Sequence, residues 1–235
     1  MQKKPTFRQA LTRTGRKIRT VNALTNLNLE IPYGSVLGVI GANGAGKSSL
    51  MRVVAGIVPP TAGRVEVYGQ VSTLLSLGVG FNARLTGREN VILGGLAAGL
   101  TRAEIEEQFS AIADFADIGE AIDSPMKTYS AGMYSRLAFA VAVVVEPDVL
   151  IVDEALSTGD AKFKKKSLEK IKTLRSENRA IILVSHALAT IKEICNDVIW
   201  LDKGKIVMRG NPDEVVAAYK ESLQVAKSSS ADEDL

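Results

Sequence analysis

The sequence predicts an α/β fold around a mainly parallel central sheet, and three observations carry the prediction. Strand-like and helical segments alternate along the chain, the order expected of an α/β domain. Val149–Val152 and Ile181–Val184 are unbroken apolar runs, as in strands covered on both faces. A third short apolar run, Val36–Ile40, is followed at once by a glycine-rich segment and then by helical spacing.

Each element has its own signal. Ala23–Ile31 alternates apolar and polar residues like a strand and ends at the turn Pro32-Tyr33-Gly34. Ser48–Ile57 has helical spacing, and Pro59-Pro60 stops it. Arg64–Tyr68 alternates again and closes at Gly69. Thr101 with Glu104 makes a capping box that opens a helix to about Ala116. Tyr134–Val145 reads as a largely buried helix. Asp197–Leu201, the turn Asp202-Lys203-Gly204-Lys205 and Ile206–Met208 read as a hairpin, and Asn211-Pro212-Asp213-Glu214 begins a last helix. Phe109, Phe115 and Phe139, at helical spacing, are expected in the core. Lys162, Lys164, Lys165 and Lys166 read as a solvated helix face.

Composition excludes several classes. With 235 residues, 46% hydrophobic and 23% charged, the chain can bury a sizeable core and is not wholly disordered. The apolar run Leu137–Val145 falls short of the roughly 20 residues that cross a bilayer. No charged-then-apolar leader is seen, and Cys195 has no partner for a disulfide, so a cytosolic chain is expected. A net charge of +3, from 29 basic and 26 acidic residues, gives no argument for nucleic acid. Residues 1–20 form a basic arm without an acid: it either meets anionic lipid or a partner, or is a solvated terminus. Residues 223–235 are expected to be a disordered tail.

Residues 41–48 read GANGAGKS and fit G-x-x-x-x-G-K-[ST]. Gly41, Gly44 and Gly46 allow the backbone to curl so that successive N–H groups face phosphate oxygens. The helix that follows adds the partial positive charge of its N-terminus. Lys47 supplies a cation for the β- and γ-phosphates, and the Ser48 hydroxyl can ligate Mg²⁺. The expected nucleotide-binding set is Gly41, Ala42, Asn43, Gly44, Ala45, Gly46, Lys47, Ser48 and Ser49. The run ending in Asp153-Glu154 delivers two carboxylates to the sheet's carboxyl edge, Asp153 for Mg²⁺ and Glu154 to polarise the attacking water. His186, the one histidine, follows the strand Ile181–Ser185 and is either structural or within reach of the γ-phosphate.

Tyr129-Ser130-Ala131-Gly132-Met133 resembles the signature motif of ABC-type ATPases, usually written LSGGQ, with Ser130 and Gly132 at the family's Ser and second Gly. Tyr129, Ala131 and Met133 depart from it, and the simpler reading of Ser130 is a helix N-cap. The order phosphate loop, signature, acidic strand, residues 155–160 and Ser185-His186 extends the resemblance over about residues 21–215. It implies a phosphate-loop NTPase of ABC type with an antiparallel β subdomain and a helical subdomain at about 84–146, within an ATPase domain spanning 21–222. It also implies ATP and Mg²⁺ as cofactors and a head-to-tail homodimer, in which Ser130 and Gly132 of one copy meet the nucleotide on the other. Glu154 becomes the catalytic base, His186 the switch histidine, and residues 155–160 resemble the D-loop that crosses between the sites.

STLLSLGVGFNARLTGREN at 72–90, with YSAGM and DEALSTGD, is similar to ATPases that export O-antigen, teichoic acid and related glycans. That implies export of a lipid-linked polysaccharide through integral membrane permease subunits, with this chain on the cytoplasmic face of the membrane. The stretch Ser76–Asn82 lacks the family's metal-sensing Gln, for which Asn82 is a candidate substitute. Phe7 is the only aromatic upstream of Val21 to stack on adenine. Gly94, Gly95, Ala97, Ala98 and Gly99 are expected to offer the permease a compact surface, or else to form an internal packing seam. On the first reading, a bulky residue at Gly87 or Glu89 uncouples transport and spares ATPase activity. The rival readings are a soluble ABC-type ATPase of DNA repair or translation, an importer ATPase, and a phosphate-loop kinase or GTPase.

Overall fold

The computed structural model describes residues 21–74, 81–153 and 160–232, with side chains up to residue 225. The strands are β1 (Val36–Ile40), β2 (Val71–Thr73), β3 (Val149–Asp153), β4 (Ala180–Val184), β5 (Asp197–Asp202) and β6 (Lys205–Gly210). The helices are α1 (Lys47–Val54), α2 (Gly87–Ala97), α3 (Arg102–Ala116), α4 (Ala131–Val144), α5 (Ala161–Ser176), α6 (Leu188–Ile194) and α7 (Pro212–Asp232). One six-stranded sheet runs β2-β3-β4-β1-β5-β6. It is parallel except for the β5–β6 hairpin.

Both faces of this sheet are covered, which is why its strands read as continuous apolar runs. Val36, Ile40, Leu150, Val152, Ile181 and Leu183 pack against α4–α7 through Phe139, Phe163, Ile191 and Val215. The opposite face, with Leu37, Val39, Ile151, Ile182 and Val184, receives Leu50 and Met51 of α1 and the partly buried Leu24, Leu27, Leu29 and Ile31. A separate cluster joins α2, α3 and α4 through Val91, Ile105, Ile112, Leu137 and Val141. Phe115 stacks on Phe139 at 5.8 Å, and Phe109 lies under the Arg88 guanidinium, so the aromatic spacing did mark packing.

Several expectations change. Ala23–Ile31 and Arg64–Tyr68 carry no strand, and among the described residues the antiparallel β subdomain forms no ladder. Alternation reports which side of a segment is buried, and a ladder also needs a partner edge. Leu27, Leu29 and Ile31 keep the alternation without the pairing. The backbone of α7 is helical to Asp232, so the described part of the expected tail, residues 223–232, continues that helix. Once Val215 and Val216 dock, each further helical residue needs no new nucleus. The lysine run is only partly solvated: Lys166 donates to Asp114 O and Phe115 O, and Lys162 pairs with Asp117 at 3.1 Å.

Gly94 and Gly95 of α2 line an internal seam, whereas Ala97 and Gly99 are exposed and Ala98 is half-buried. A Cβ on Gly94 would stand 2.8 Å from Val141, and one on Gly95 would stand 2.5 Å from Ile105. Gly87 is buried against the Tyr129 hydroxyl, and Glu89 closes a capping box with Thr86. Bulk at Gly87 therefore meets packed atoms and loss of Glu89 removes a helix cap, so either change acts on the packing of α2 as well as on any surface it offers.

Candidate nucleotide-binding site

Parallel strands bring their carboxyl ends to one edge, and the expected site residues gather there. In register, Val39 of β1 and Asp153 of β3 flank Val184 of β4, about 10 Å apart at two strand spacings. Gly41 follows β1, Asp153 ends β3, and Ser185-His186 follows β4. His186 is exposed and Asp153 half-buried.

Residues 41–46 curl from β1 into α1. Gly46 is the N-cap of α1 with φ 108°, a left-handed conformation that glycine adopts without strain, and no side chain caps this helix end. A helix N-terminus capped by glycine rather than by a side chain is an arrangement suited to an anion. Lys47 is buried, and its Nζ donates to Gly41 O (2.8 Å) and Ala42 O (3.0 Å), so its charge is held beneath the loop. Ala42, Asn43, Gly44 and Ser48 are exposed, Ser49 is half-buried and Ala45 is buried. The exposed Ser48 hydroxyl and the half-buried Asp153 carboxylate, both near the carboxyl edge of the sheet, are oxygen donors of the kind Mg²⁺ takes.

Ser130 stands elsewhere. It is the N-cap of α4, where its hydroxyl accepts from Met133 N–H at 3.2 Å. Gly132 has open space around it: the nearest atom to an added Cβ would be Ser130 Oγ at 3.8 Å. Because α1 and α4 cover opposite faces of the sheet, one chain keeps its signature turn apart from its own phosphate loop. Tyr129 donates to Ala121 O at 2.6 Å, and burial pushes its phenol above the ordinary value.

Two residues outside the sequence-derived set organise these parts. Arg136, on α4, donates to Asp117 O at 2.9 Å and to the Asp160 carboxylate. Asp160 in turn caps α5 by accepting from Phe163 N–H at 2.8 Å. That N–H, with Arg136, holds the Asp160 carboxyl below the usual range against the opposing effect of burial. Asn90 is fully buried; it donates to Asn82 O, Leu85 O and Thr86 O and accepts from Asn82 N–H at 2.7 Å. A charge inside the apolar run Tyr134–Val145 was a sequence signal for Arg136, whereas nothing in the sequence marked Asn90. The side chain of Asn82 accepts from Arg84 N–H, so it serves a turn. Glu154, residues 155–159, most of the Ser76–Asn82 stretch and the basic arm with Phe7 lie outside the described residues.

A family model described as "ABC transporter" matches residues 24–157. The O-antigen export system ATP-binding protein RfbB of Myxococcus xanthus is 44% identical over 219 residues, 93% of this chain and 50% of that protein. The teichoic acids export ATP-binding protein TagH of Bacillus anthracis is 41% identical over 90% of this chain and 38% of its own length. The chain thus spans half or less of these two relatives. RfbB of Klebsiella pneumoniae is 37% identical over 88% of this chain and 84% of that protein. Among solved structures, an ATP binding subunit of an ABC transporter superposes with TM-score 0.77 at 24% identity, covering 88% of this chain and 90% of that one. The dimeric MJ0796, a bacterial ABC transporter cassette, gives TM-score 0.73 at 20% identity over 85% and 94% of the two chains.

Proposed function

The chain belongs to the ABC transporter family, and on that premise we propose that it is the ATP-hydrolysing subunit of an exporter for a lipid-linked polysaccharide. It works as a homodimer on the cytoplasmic face of the membrane, seated on integral membrane permease subunits. The observation that carries the export reading is the 44% identity to an O-antigen export ATP-binding protein across 93% of the chain. Among the described residues no helix is long and apolar enough to cross a membrane, which suits a subunit that reaches the bilayer through a partner.

The chemistry follows from the sheet edge. The N–H groups of residues 42–49 and the first turn of α1 hold the phosphates, and the Lys47 ammonium meets the β- and γ-oxygens. Ser48 and Asp153 would hold Mg²⁺, which supplies charge neutralisation at those oxygens. Glu154 accepts the proton of the attacking water, and His186 orients the γ-phosphate and that water. Ser130 and Gly132 of the second copy close the site from the other side, where the α4 N-terminus faces anionic oxygen. A nucleotide bound by one copy alone leaves its γ-phosphate in solvent, so hydrolysis waits for closure. The layer of α2–α4 meets the permease and passes closure on to it.

The test has two arms. Glu154→Gln with MgATP should elute as a dimer and hydrolyse nothing, while Lys47→Ala should bind ATP at least about tenfold more weakly and stay monomeric at the same ATP concentration. A Glu154→Gln chain that remains monomeric in saturating ATP would refute the shared site. In the host, loss of the chain should strand the lipid-linked glycan in the cytoplasmic leaflet, and normal surface glycan without it would refute the export role.

A further inference from the structure

The β5–β6 turn and the phosphate loop are joined by backbone alone. Thr25 N–H donates to Gly204 O at 2.8 Å, and Gly204 N–H donates to Ala45 O at 2.8 Å. Gly204 is buried with φ +76°, and a Cβ there would lie 2.5 Å from Ala23 O and 3.0 Å from Leu24 Cα. Gly46 presses on the same carbonyl, its own Cβ position being 2.6 Å from Ala23 O. A Cβ on Gly41 would overlap Leu201 O, in the strand that leads into the turn. Three glycines thus bring loop, hairpin and residues 23–25 into direct main-chain contact.

We infer that the β5–β6 turn is a brace for the phosphate loop and that Gly204 is a positioning residue for nucleotide binding. The inference rests on the reading of residues 41–48 as the nucleotide site. Ala45 C=O and Gly46 N–H belong to one planar trans peptide, so they point in opposite directions. When Gly204 donates to Ala45 O it fixes that plane, and the Gly46 N–H is aimed away from the turn, toward the inside of the loop. Main chain packed on main chain has no rotamer with which to absorb a displacement. A shift of the turn therefore re-aims the donors that meet phosphate, although residue 204 lies outside the loop itself.

Gly204→Ala in the full chain adds a methyl against Ala23 O and demands a φ that L-residues rarely adopt. Titration well below the melting temperature should show Kd for ADP and KM for ATP raised roughly tenfold, the scale of one mis-set hydrogen bond, with kcat within about twofold. Lys203→Asn, at φ +44° in the same turn, suits that backbone and should leave the Kd unchanged. In the unmodified chain, ADP should slow hydrogen exchange at the Gly204 amide, because coupling between loop and turn is reciprocal. If Gly204→Ala fails to fold, this exchange measurement decides. No ADP binding by the unmodified chain would overturn the nucleotide reading and this inference together. ADP binding with an unchanged Kd in Gly204→Ala, or with an indifferent Gly204 amide, would overturn the brace alone.

Discussion

Lys47 and Cys195 show how burial acts on single ionisable groups. The ammonium of Lys47 is buried yet faces two carbonyl dipoles, which lower the cost of holding a charge there. Lys47→Met removes charged hydrogen bonds worth about 1.5–3 kcal/mol each, so ATP affinity should fall roughly 10- to 150-fold by calorimetry. Cys195 has no such compensation, and burial pushes its thiol up to about 12. Maleimide at neutral pH should therefore leave the native chain unlabelled and modify Cys195 readily in urea. The sequence already marked Lys47 through its motif and Cys195 as a thiol without a disulfide partner. The sequence marked Arg136 only as an odd charge and did not mark Asn90, because their partners, Asp117, Asp160 and the carbonyls of residues 82–86, become neighbours only through packing.

At the scale of elements, α2 and α3 begin alike. Thr86 with Glu89 and Thr101 with Glu104 form complete capping boxes. The Thr86 N–H and hydroxyl hold the Glu89 carboxyl below the usual range, and the Thr101 hydroxyl and N–H do the same for Glu104. A depressed folded pKa adds stability above the ordinary carboxylate range, and that stability is lost as pH falls through the folded value. The melting temperature should therefore drop on acidification, and Glu104→Gln should flatten that drop. Thr101→Ala should cost about 1 kcal/mol in urea unfolding at neutral pH. Deeper in the same layer, Gly95→Val drives a branched side chain onto Ile105 and should cost about 1–3 kcal/mol, with ATPase activity and transport falling together as folded protein is lost. The Thr101 box was legible because capping is local. The role of the α2 glycines was not, since a small residue facing a partner protein and one facing Ile105 look the same in sequence.

At the scale of the whole molecule, α1 and α4 cover opposite faces of the sheet, and under the proposed function the phosphate loop of one copy is completed by the α4 N-terminus of another. In the Glu154→Gln background with MgATP, Ser130→Arg should abolish the dimer seen by sedimentation and leave ATP binding by the monomer within about threefold, a difference below 1 kcal/mol. What the sequence determined by itself was whatever depends on neighbours along the chain: strand runs, caps, the loop that curls ahead of α1, and the order of motifs. Tertiary structure alone decided which segments find a partner edge, as Ala23–Ile31, which joins no ladder, shows, and which small residues face inward. It also decided that the β5–β6 turn rests on the phosphate loop. These outcomes depend on contacts between residues far apart in sequence, and no local pattern encodes such a contact until the sheet has brought its strands together.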